Sequence, residues 1–130
     1  MPVPDLRVIG LDHIVLNVAD VERSLSFYCG TLGLSGLRVE DWRQGRAPFP
    51  SVRIDGGTII DLLAAPRSGS NCDHFCLVVE PLDLHALAAS GVFEVVEGPG
   101  PRFGARGTGT SLYVQDPDGN VVELRCYPPG

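Results

Sequence analysis

Hydrophobic and polar residues alternate along residues 8–18, which are rich in valine, isoleucine and leucine. This period of two predicts a β-strand. One face of the strand would carry Leu11, His13, Val15 and Asn17. After Asp20, a predicted N-cap, the period changes and the apolar residues fall on one helical stripe. The stripe predicts a helix that ends at Gly33, and its apolar members are Val21, Leu25, Tyr28 and Leu32.

Glycine, proline and aspartate divide the rest of the chain. Two or three short strands are predicted between residues 36 and 65. Trp42 and Phe49 would lie on them, and core packing is the simpler interpretation of both; the alternative is that they line a pocket. The Gly/Pro-rich segment 97–109 is predicted to be a loop, either a mobile lid or a hairpin connection. The other predicted elements are a strand at 73–80, a helix from Pro81 to Gly91, a short strand at 93–96, a strand at 110–115, a turn at 116–119 and a strand at 120–127.

The two halves of the chain repeat each other. Leu11–Val18 is echoed by Cys72–Val79, and Gly57–Leu62 is echoed by Gly119–Leu124. The offsets are nearly equal, because 74 − 13 = 61 and 123 − 61 = 62. Such self-similarity predicts two structural repeats. We expect one domain over residues 1–130, with one module at about 8–65, a linker at 66–71 and a second module at about 72–127.

Each half contributes one histidine and one carboxylate at equivalent places: His13 with Asp61, and His74 with Glu123. A charged group on a mostly apolar face is costly unless it is paired or bound to a metal. Two imidazoles with one or two carboxylates suit Zn²⁺, Fe²⁺, Mn²⁺, Co²⁺ or Ni²⁺. The sequence therefore predicts a divalent-metal site. The alternative is a metal-free protein in which His13 or His74 is a hydrogen-bonded polar residue.

Three arginines are candidates for binding an anionic substrate group: Arg102, Arg106 and Arg125. Arg125 lies two residues after Glu123 and should share its face of the strand. It can hold a carboxylate or phosphonate bidentately, or form an internal salt bridge to Asp61 or another acid. Arg102 and Arg106 flank the Gly-rich segment, where solvated loop charges are the simpler interpretation.

The cysteines and the third histidine have simpler interpretations than catalysis. Cys72 and Cys76 bracket His74 and are interpreted as small buried hydrophobes rather than thiolate ligands. His85 is predicted to lie on a helix surface. The four cysteines form no CxxC pair, so reduced thiols and a cytoplasmic location are expected.

Charge and hydropathy exclude other classes of protein. The net charge of −6 and the pI of about 4.8 argue against nucleic-acid binding. No apolar run approaches the ~20 residues of a membrane-spanning helix, and residues 1–5 do not form a signal-peptide pattern. The expected partners therefore include neither nucleic acid nor a membrane.

Three motifs carry a family resemblance: Leu11-Asp12-His13-Ile14-Val15-Leu16, Phe27-Tyr28…Leu32-Gly33-Leu34, and Tyr113-Val114-Gln115 through Glu123-Leu124. With them the chain resembles the glyoxalase/bleomycin-resistance/dioxygenase family, also called vicinal oxygen chelate proteins, from about residue 8 to 127. The resemblance implies an α+β fold of two tandem βαβββ modules that form a curled mixed sheet around a cleft, and a homodimer.

The family's metal ligands carry over onto His13, His74 and Glu123, and less securely onto Asp61. Asp is one methylene shorter than the Glu of many relatives, so Asp61 would ligate directly, ligate through water or act as general base. The implied function is a metal-dependent, glyoxalase-like lyase or isomerase that acts on a small-molecule, oxygenated substrate, with Glu123 and Asp61 as catalytic carboxylates. The alternatives are an extradiol-type dioxygenase and a non-catalytic drug- or metabolite-binding module.

Overall fold

The computed structural model describes residues 3–66, 68–117 and 119–129. Arg67 of the predicted linker and Asp118 of the predicted turn lie outside these residues. The chain forms two compact units. The first unit is His13–Asp73, and the second combines Met1–Asp12 with His74–Gly130. Among the described residues no helix is long and apolar enough to cross a membrane.

The described residues of the first unit form a four-stranded mixed sheet, two short α-helices and one π-helical segment. Its strand order is β2-β3-β4-β1, in which β1 and β4 are parallel and the other pairs are antiparallel. Only the part of β1 from His13 onwards belongs to this unit. The elements are β1 (Val8–Val18), α1 (Val21–Leu25), β2 (Ser35–Leu37), α2 (Val39–Arg43), β3 (Ser51–Asp55) and β4 (Thr58–Ala64).

The predicted N-cap of the first helix is confirmed, because the Asp20 side chain accepts a hydrogen bond from the backbone N–H of Arg23 at 3.0 Å. The α-helix is shorter than predicted. After Leu25 it continues as a π-helix over Ser26–Thr31, as the 2.9 Å bond from Leu32 N to Phe27 O illustrates. The wider turn rotates Leu32 off the apolar stripe, so that it is 54% exposed.

The prediction of strands around Trp42 and Phe49 is wrong. Trp42 lies on the helix α2, and Phe49 lies in the segment that precedes β3. Glu40 and Asp41 occupy the first turn of α2, where carboxylates interact favourably with the helix dipole. Val39 and Trp42 are three residues apart and both pack on the core of the first unit, so helical spacing satisfies them.

The described residues of the second unit form a similar four-stranded mixed sheet, with one α-helix. Its strand order is β5-β8-β7-β6, with β5 and β8 parallel. The buried residues of its core include Val79, Leu84, Leu87, Leu112, Val114 and Leu124. The elements are β5 (Cys72–Val79), α3 (Leu84–Ala89), β6 (Glu94–Gly104), β7 (Gly107–Gln115) and β8 (Val121–Cys126).

The helix α3 begins later than predicted, at Leu84. Its N-cap is Asp83, whose side chain accepts from Ala86 N at 3.0 Å. Pro81 therefore precedes the helix instead of opening it.

Most of the predicted loop 97–109 is strand. Residues 94–104 and 107–115 pair as a long hairpin, with an irregular register between Val95 and Gly100. β6 lies at the end of the strand order, where a proline's missing N–H costs no ladder bond on the open side. Of the two predicted alternatives, the hairpin connection is therefore the one found.

The turn predicted at 116–119 is confirmed over its described residues. Gly119 N donates to Asp116 O at 3.0 Å, and the Asp116 side chain accepts from Asn120 N at 2.9 Å. This turn sets the register of β7 against β8, which places Tyr113 opposite Glu123.

Candidate functional site

A histidine and a carboxylate meet on the parallel strands of the second unit. Cys76 of β5 is the register partner of Glu123 of β8, and His74 lies two residues before Cys76 on the same face. His74 Nε2 is 3.1 Å from Glu123 Oε1. The Glu123 side chain is 1% exposed and that of His74 is 14% exposed. Tyr113 packs its ring edge-on against His74 with the ring centroids 5.3 Å apart.

The first unit contains the equivalent pair on its own parallel strands. Val15 of β1 is the register partner of Asp61 of β4, and His13 lies two residues before Val15. His13 Nε2 is 3.7 Å from Asp61 Oδ2, and both side chains are at most 3% exposed. This distance exceeds the one in the second unit, in keeping with an acid that is one methylene shorter. The duplicated sequence therefore produces duplicated geometry.

A serine holds each carboxylate, which the sequence analysis missed. Ser51 Oγ donates to Asp61 Oδ1 at 2.5 Å, and Ser111 Oγ donates to Glu123 Oε2 at 2.7 Å. Both serines are at most 1% exposed. The repeat contains the signal that finds them, because 111 − 51 = 60 is close to the offset of the histidines. In each unit, one carboxylate oxygen accepts from serine while the other faces the imidazole.

Arg125 breaks the symmetry between the units, because Leu63 occupies the equivalent place in the first half (125 − 62 = 63). Its side chain is 0% exposed, and Nη2 donates to Glu123 Oε2 at 2.9 Å. Of the two roles considered for Arg125, the structure contains the internal salt bridge, formed with Glu123. Burial alone would lower the pKa of Arg125, but the charge and the hydrogen bond of Glu123 outweigh burial and leave the pKa raised.

The electrostatic environment of Asp61 is different. Arg38 donates to the Phe49 carbonyl oxygen at 3.2 Å and lies 4.9 Å from the centre of the Phe49 ring. Burial lowers the pKa of Arg38, and the charges of Asp61 and Asp41 oppose that effect. The positive charge that acts on Asp61 thus comes from Arg38, which directly precedes α2, rather than from a residue of β4, the strand that contains Asp61.

Besides Glu123, the second unit contains another buried carboxylate, Asp12, which contacts the turn of the β6–β7 hairpin. Asp12 is 0% exposed and accepts hydrogen bonds from the Tyr127 hydroxyl and, at 2.9 Å, from Ala105 N. The Tyr127 oxygen accepts from Arg106 N at 3.1 Å. Burial and the bond to Asp12 raise the pKa of Tyr127 to about 12. The corresponding Asp73 of the repeat is exposed, so the repeat alone does not reveal this cluster.

Arg102 and Arg106 lie on the same hairpin but near solvent. Arg102 Nη2 pairs with Glu97 Oε1 at 2.9 Å, and its guanidinium is 5.7 Å from the centre of the Tyr113 ring. Arg106 is exposed, with its guanidinium 5.8 Å from the centre of the Tyr127 ring. A surface ion pair of this kind contributes about 0–1 kcal/mol. The positively charged guanidinium groups of both arginines are therefore accessible to small anionic solutes.

The cysteines are free thiols. Cys76 is buried, as predicted, and desolvation raises its pKa strongly, with Glu123 adding to the effect. The prediction that Cys72 is buried is wrong, since it lies exposed at the start of β5. Although Cys72 is exposed, partial desolvation of its thiol and the charge of Asp73 raise its pKa, which disfavours a thiolate there. His85 is exposed on α3, in agreement with its predicted position.

The donor chemistry of the two pairs fits a first-row divalent cation. Each pair turns one imidazole nitrogen and one carboxylate oxygen towards each other, while serine holds the second carboxylate oxygen. Imidazole and carboxylate are the ligand types that Zn²⁺, Mn²⁺, Fe²⁺, Co²⁺ and Ni²⁺ accept. Hydrogen bonds to the outer atom of a ligand are typical of metal centres, because they fix the ligand's orientation.

Comparison with known proteins agrees with the motifs. A family model, the Glyoxalase/Bleomycin resistance protein/Dioxygenase superfamily, matches residues 10–124. A glyoxalase domain-containing protein of Mycosarcoma maydis is 36% identical over 131 residues, covering 94% of this chain and 70% of that protein. A probable lactoylglutathione lyase of Synechocystis is 30% identical over 122 residues, covering 86% of this chain and 91% of that protein.

A solved structure, the Mn(II)-bound glyoxalase from Novosphingobium aromaticivorans, has a TM-score of 0.69 at 20% sequence identity. The similarity covers 93% of this chain and 40% of that chain. At this identity the likeness concerns the fold alone. It confirms the α+β fold class that the sequence motifs implied.

The serine contacts predict a loss of stability on substitution. Ser111→Ala removes a hydrogen bond to a buried carboxylate, so we expect the free energy of unfolding to fall by about 1–3 kcal/mol in urea titrations. Ser51→Ala should cost a similar amount. The exposed Ser35 of β2 provides the control, and Ser35→Ala should change the free energy by less than about 0.5 kcal/mol. Equal stability of Ser111→Ala and Ser35→Ala would contradict the assigned role of the serine.

Proposed function

The chain belongs to the Glyoxalase/Bleomycin resistance protein/Dioxygenase superfamily, and on that premise we propose that it is a divalent-metal-dependent lyase or isomerase acting on a small oxygenated substrate. The observation that carries this proposal is the buried imidazole–carboxylate–serine arrangement present in both units. Both carboxylates are buried and occupy equivalent positions of the repeat, which unrelated acidic residues on a protein surface would not do.

We assign His13 and Asp61 of the first unit, and His74 and Glu123 of the second, as ligands of a divalent metal. Each pair supplies two of the three or four protein ligands that metal centres of this kind use. The name of the Novosphingobium glyoxalase states that it binds Mn(II), which is compatible with this donor set but does not fix the metal of this chain. Zn²⁺, Ni²⁺, Co²⁺, Mn²⁺ and Fe²⁺ are therefore all candidates.

When bound, a cation of this kind polarises substrate oxygens and stabilises the negative charge that develops when a neighbouring C–H is deprotonated. The chain's own contribution is to move that proton. A carboxylate within reach of the carbon accepts the proton and returns it to the product. We assign this step to Asp61, whose carboxylate faces His13 at the longer distance of 3.7 Å. Glu123, paired with Arg125, is the fixed acid of the two.

Substrate binding is assigned to the exposed end of the β6–β7 hairpin. The guanidinium groups of Arg102 and Arg106 can attract an anionic group of a small substrate, because neither is buried. Arg125 cannot reach solvent without leaving its buried ion pair. A homodimer remains an expectation from the family resemblance, and a cytoplasmic location remains an expectation from the cysteine pattern.

The two alternative functions have less support. An extradiol-type dioxygenase usually needs a further acid–base histidine, and the third histidine, His85, is exposed on α3. A drug- or metabolite-binding module that binds no metal does not require two serine-held imidazole–carboxylate pairs. Its expected behaviour is ligand binding without a metal.

Metal binding tests the proposed ligands. Protein purified without chelators or a polyhistidine tag should contain about one divalent ion per chain by ICP-MS. We expect His13→Ala and His74→Ala each to lower the metal content, because each variant removes an imidazole ligand. His85→Ala is the matched control, since that histidine is exposed, and it should keep its metal. Full metal content in either His13→Ala or His74→Ala would contradict the assignment of that histidine as a ligand.

Proton transfer tests the enzymatic class. A panel of small α-hydroxycarbonyl compounds and their thiol adducts would be incubated in D₂O, and deuterium incorporation next to the carbonyl would be followed by NMR. We expect exchange that a chelator stops. In metal-saturated protein, Asp61→Asn should slow exchange by at least 10²-fold, the usual contribution of a general base, because an amide oxygen can still bind the metal but cannot accept the proton. Exchange that is unchanged in Asp61→Asn would remove Asp61 from the proposed role.

A further inference from the structure

The buried cluster around Arg125 is not explained by metal ligation or substrate binding. We propose that Arg125 is a positioning residue, which is held by the end of the β6–β7 hairpin and fixes the orientation of the Glu123 carboxylate. The inference rests on the proposed function, since that orientation matters through the metal that Glu123 would help to bind.

The contacts of the guanidinium are all internal. Nη2 donates to Glu123 Oε2 and to Phe103 O, each at 2.9 Å. Nη1 donates to Gly107 O and to the Tyr127 oxygen, each at 3.3 Å. Two of these four acceptors are backbone carbonyls on either side of the hairpin turn. The hairpin therefore determines where the guanidinium lies.

The hairpin is shaped around this side chain. A β-carbon added at Gly104 would overlap the guanidinium of Arg125, and one added at Gly109 would come within 3.3 Å of Arg125 Cγ. A glycine at position 104 is therefore required by the close approach of Arg125. The turn is fixed in addition by the bonds from Ala105 N to Asp12 and from Arg106 N to the Tyr127 oxygen.

The Glu123 carboxylate receives its orientation from two donors on one oxygen. Oε2 accepts from Ser111 and from Arg125, while Oε1 faces His74 Nε2 at 3.1 Å. Two donors on Oε2 define both the position and the rotation of the carboxylate plane. A bidentate or forked arginine contact supplies this geometric control, whereas the point charge of a lysine does not.

The first unit has no counterpart on its strand, because the equivalent residue is Leu63. The two halves of the repeat therefore differ at this position: Glu123 has an arginine two residues after it, where Asp61 has a leucine.

Co²⁺ binding to Arg125→Lys tests the positioning role, with affinity and the visible absorption spectrum as readouts. We expect affinity to fall about 10- to 100-fold, as for other residues that orient a metal ligand, and the d–d bands to shift. Lysine keeps the charge, so a purely electrostatic role would leave both readouts unchanged. Arg43→Lys is the matched control, because Arg43 forms an exposed two-bond pair with Glu22, and it should bind Co²⁺ like the wild type.

Two further variants test the same role if Arg125→Lys does not fold. Tyr127→Phe removes one acceptor of the guanidinium, and Gly104→Ala displaces the hairpin end; both should shift the d–d bands. Gly10→Ala is the control for the second, since a β-carbon at Gly10 meets nothing within 4 Å. Wild-type affinity and an unshifted spectrum in the folded variants would overturn the positioning role alone. Failure of the wild-type protein to bind Co²⁺ would overturn the metal proposal and this inference with it.

Discussion

The buried carboxylate of Glu123 is the constraint on which the rest of the second unit depends. A carboxylate on a parallel strand inside a protein loses its hydration, and the cost of this loss is several kcal/mol unless other groups replace the water. Ser111, His74 and Arg125 supply that replacement from three different strand positions. Each of these groups must lie at a defined position to reach Glu123. The parallel pairing of β5 with β8 positions His74, and the carbonyl groups of the β6–β7 hairpin position Arg125.

The same constraint is met more simply in the first unit. Asp61 is shorter and accepts from Ser51, while its histidine lies farther away. No residue equivalent to Arg125 follows it along the strand. The two units thus share the imidazole, the acid and the serine, and they differ in the arginine that pairs with Glu123.

The sequence predicted what depends on local periodicity and on the repeat. The strand at 8–18, the cap at Asp20 and the pairing of His13 with Asp61 and of His74 with Glu123 follow from the alternation and the common offset. It did not predict what depends on tertiary context. Residues 97–109 have the composition of a loop but form a hairpin, because an edge strand tolerates proline and because Arg125 requires glycine beside it. The roles of Asp12 and Tyr127 arise from a contact between residues 115 positions apart, which no local pattern encodes. Trp42 follows helical rather than strand spacing, since its segment has acidic residues where a helix begins.

X-ray absorption spectroscopy of the Zn²⁺- or Co²⁺-loaded protein tests most directly whether the serine-held imidazole–carboxylate pairs bind a divalent metal. The extended fine structure detects imidazole rings around the metal, because their outer carbon atoms give a distinct scattering pattern. We expect imidazole and carboxylate ligands in the first shell of the metal. A first shell without imidazole would contradict the proposed metal ligands.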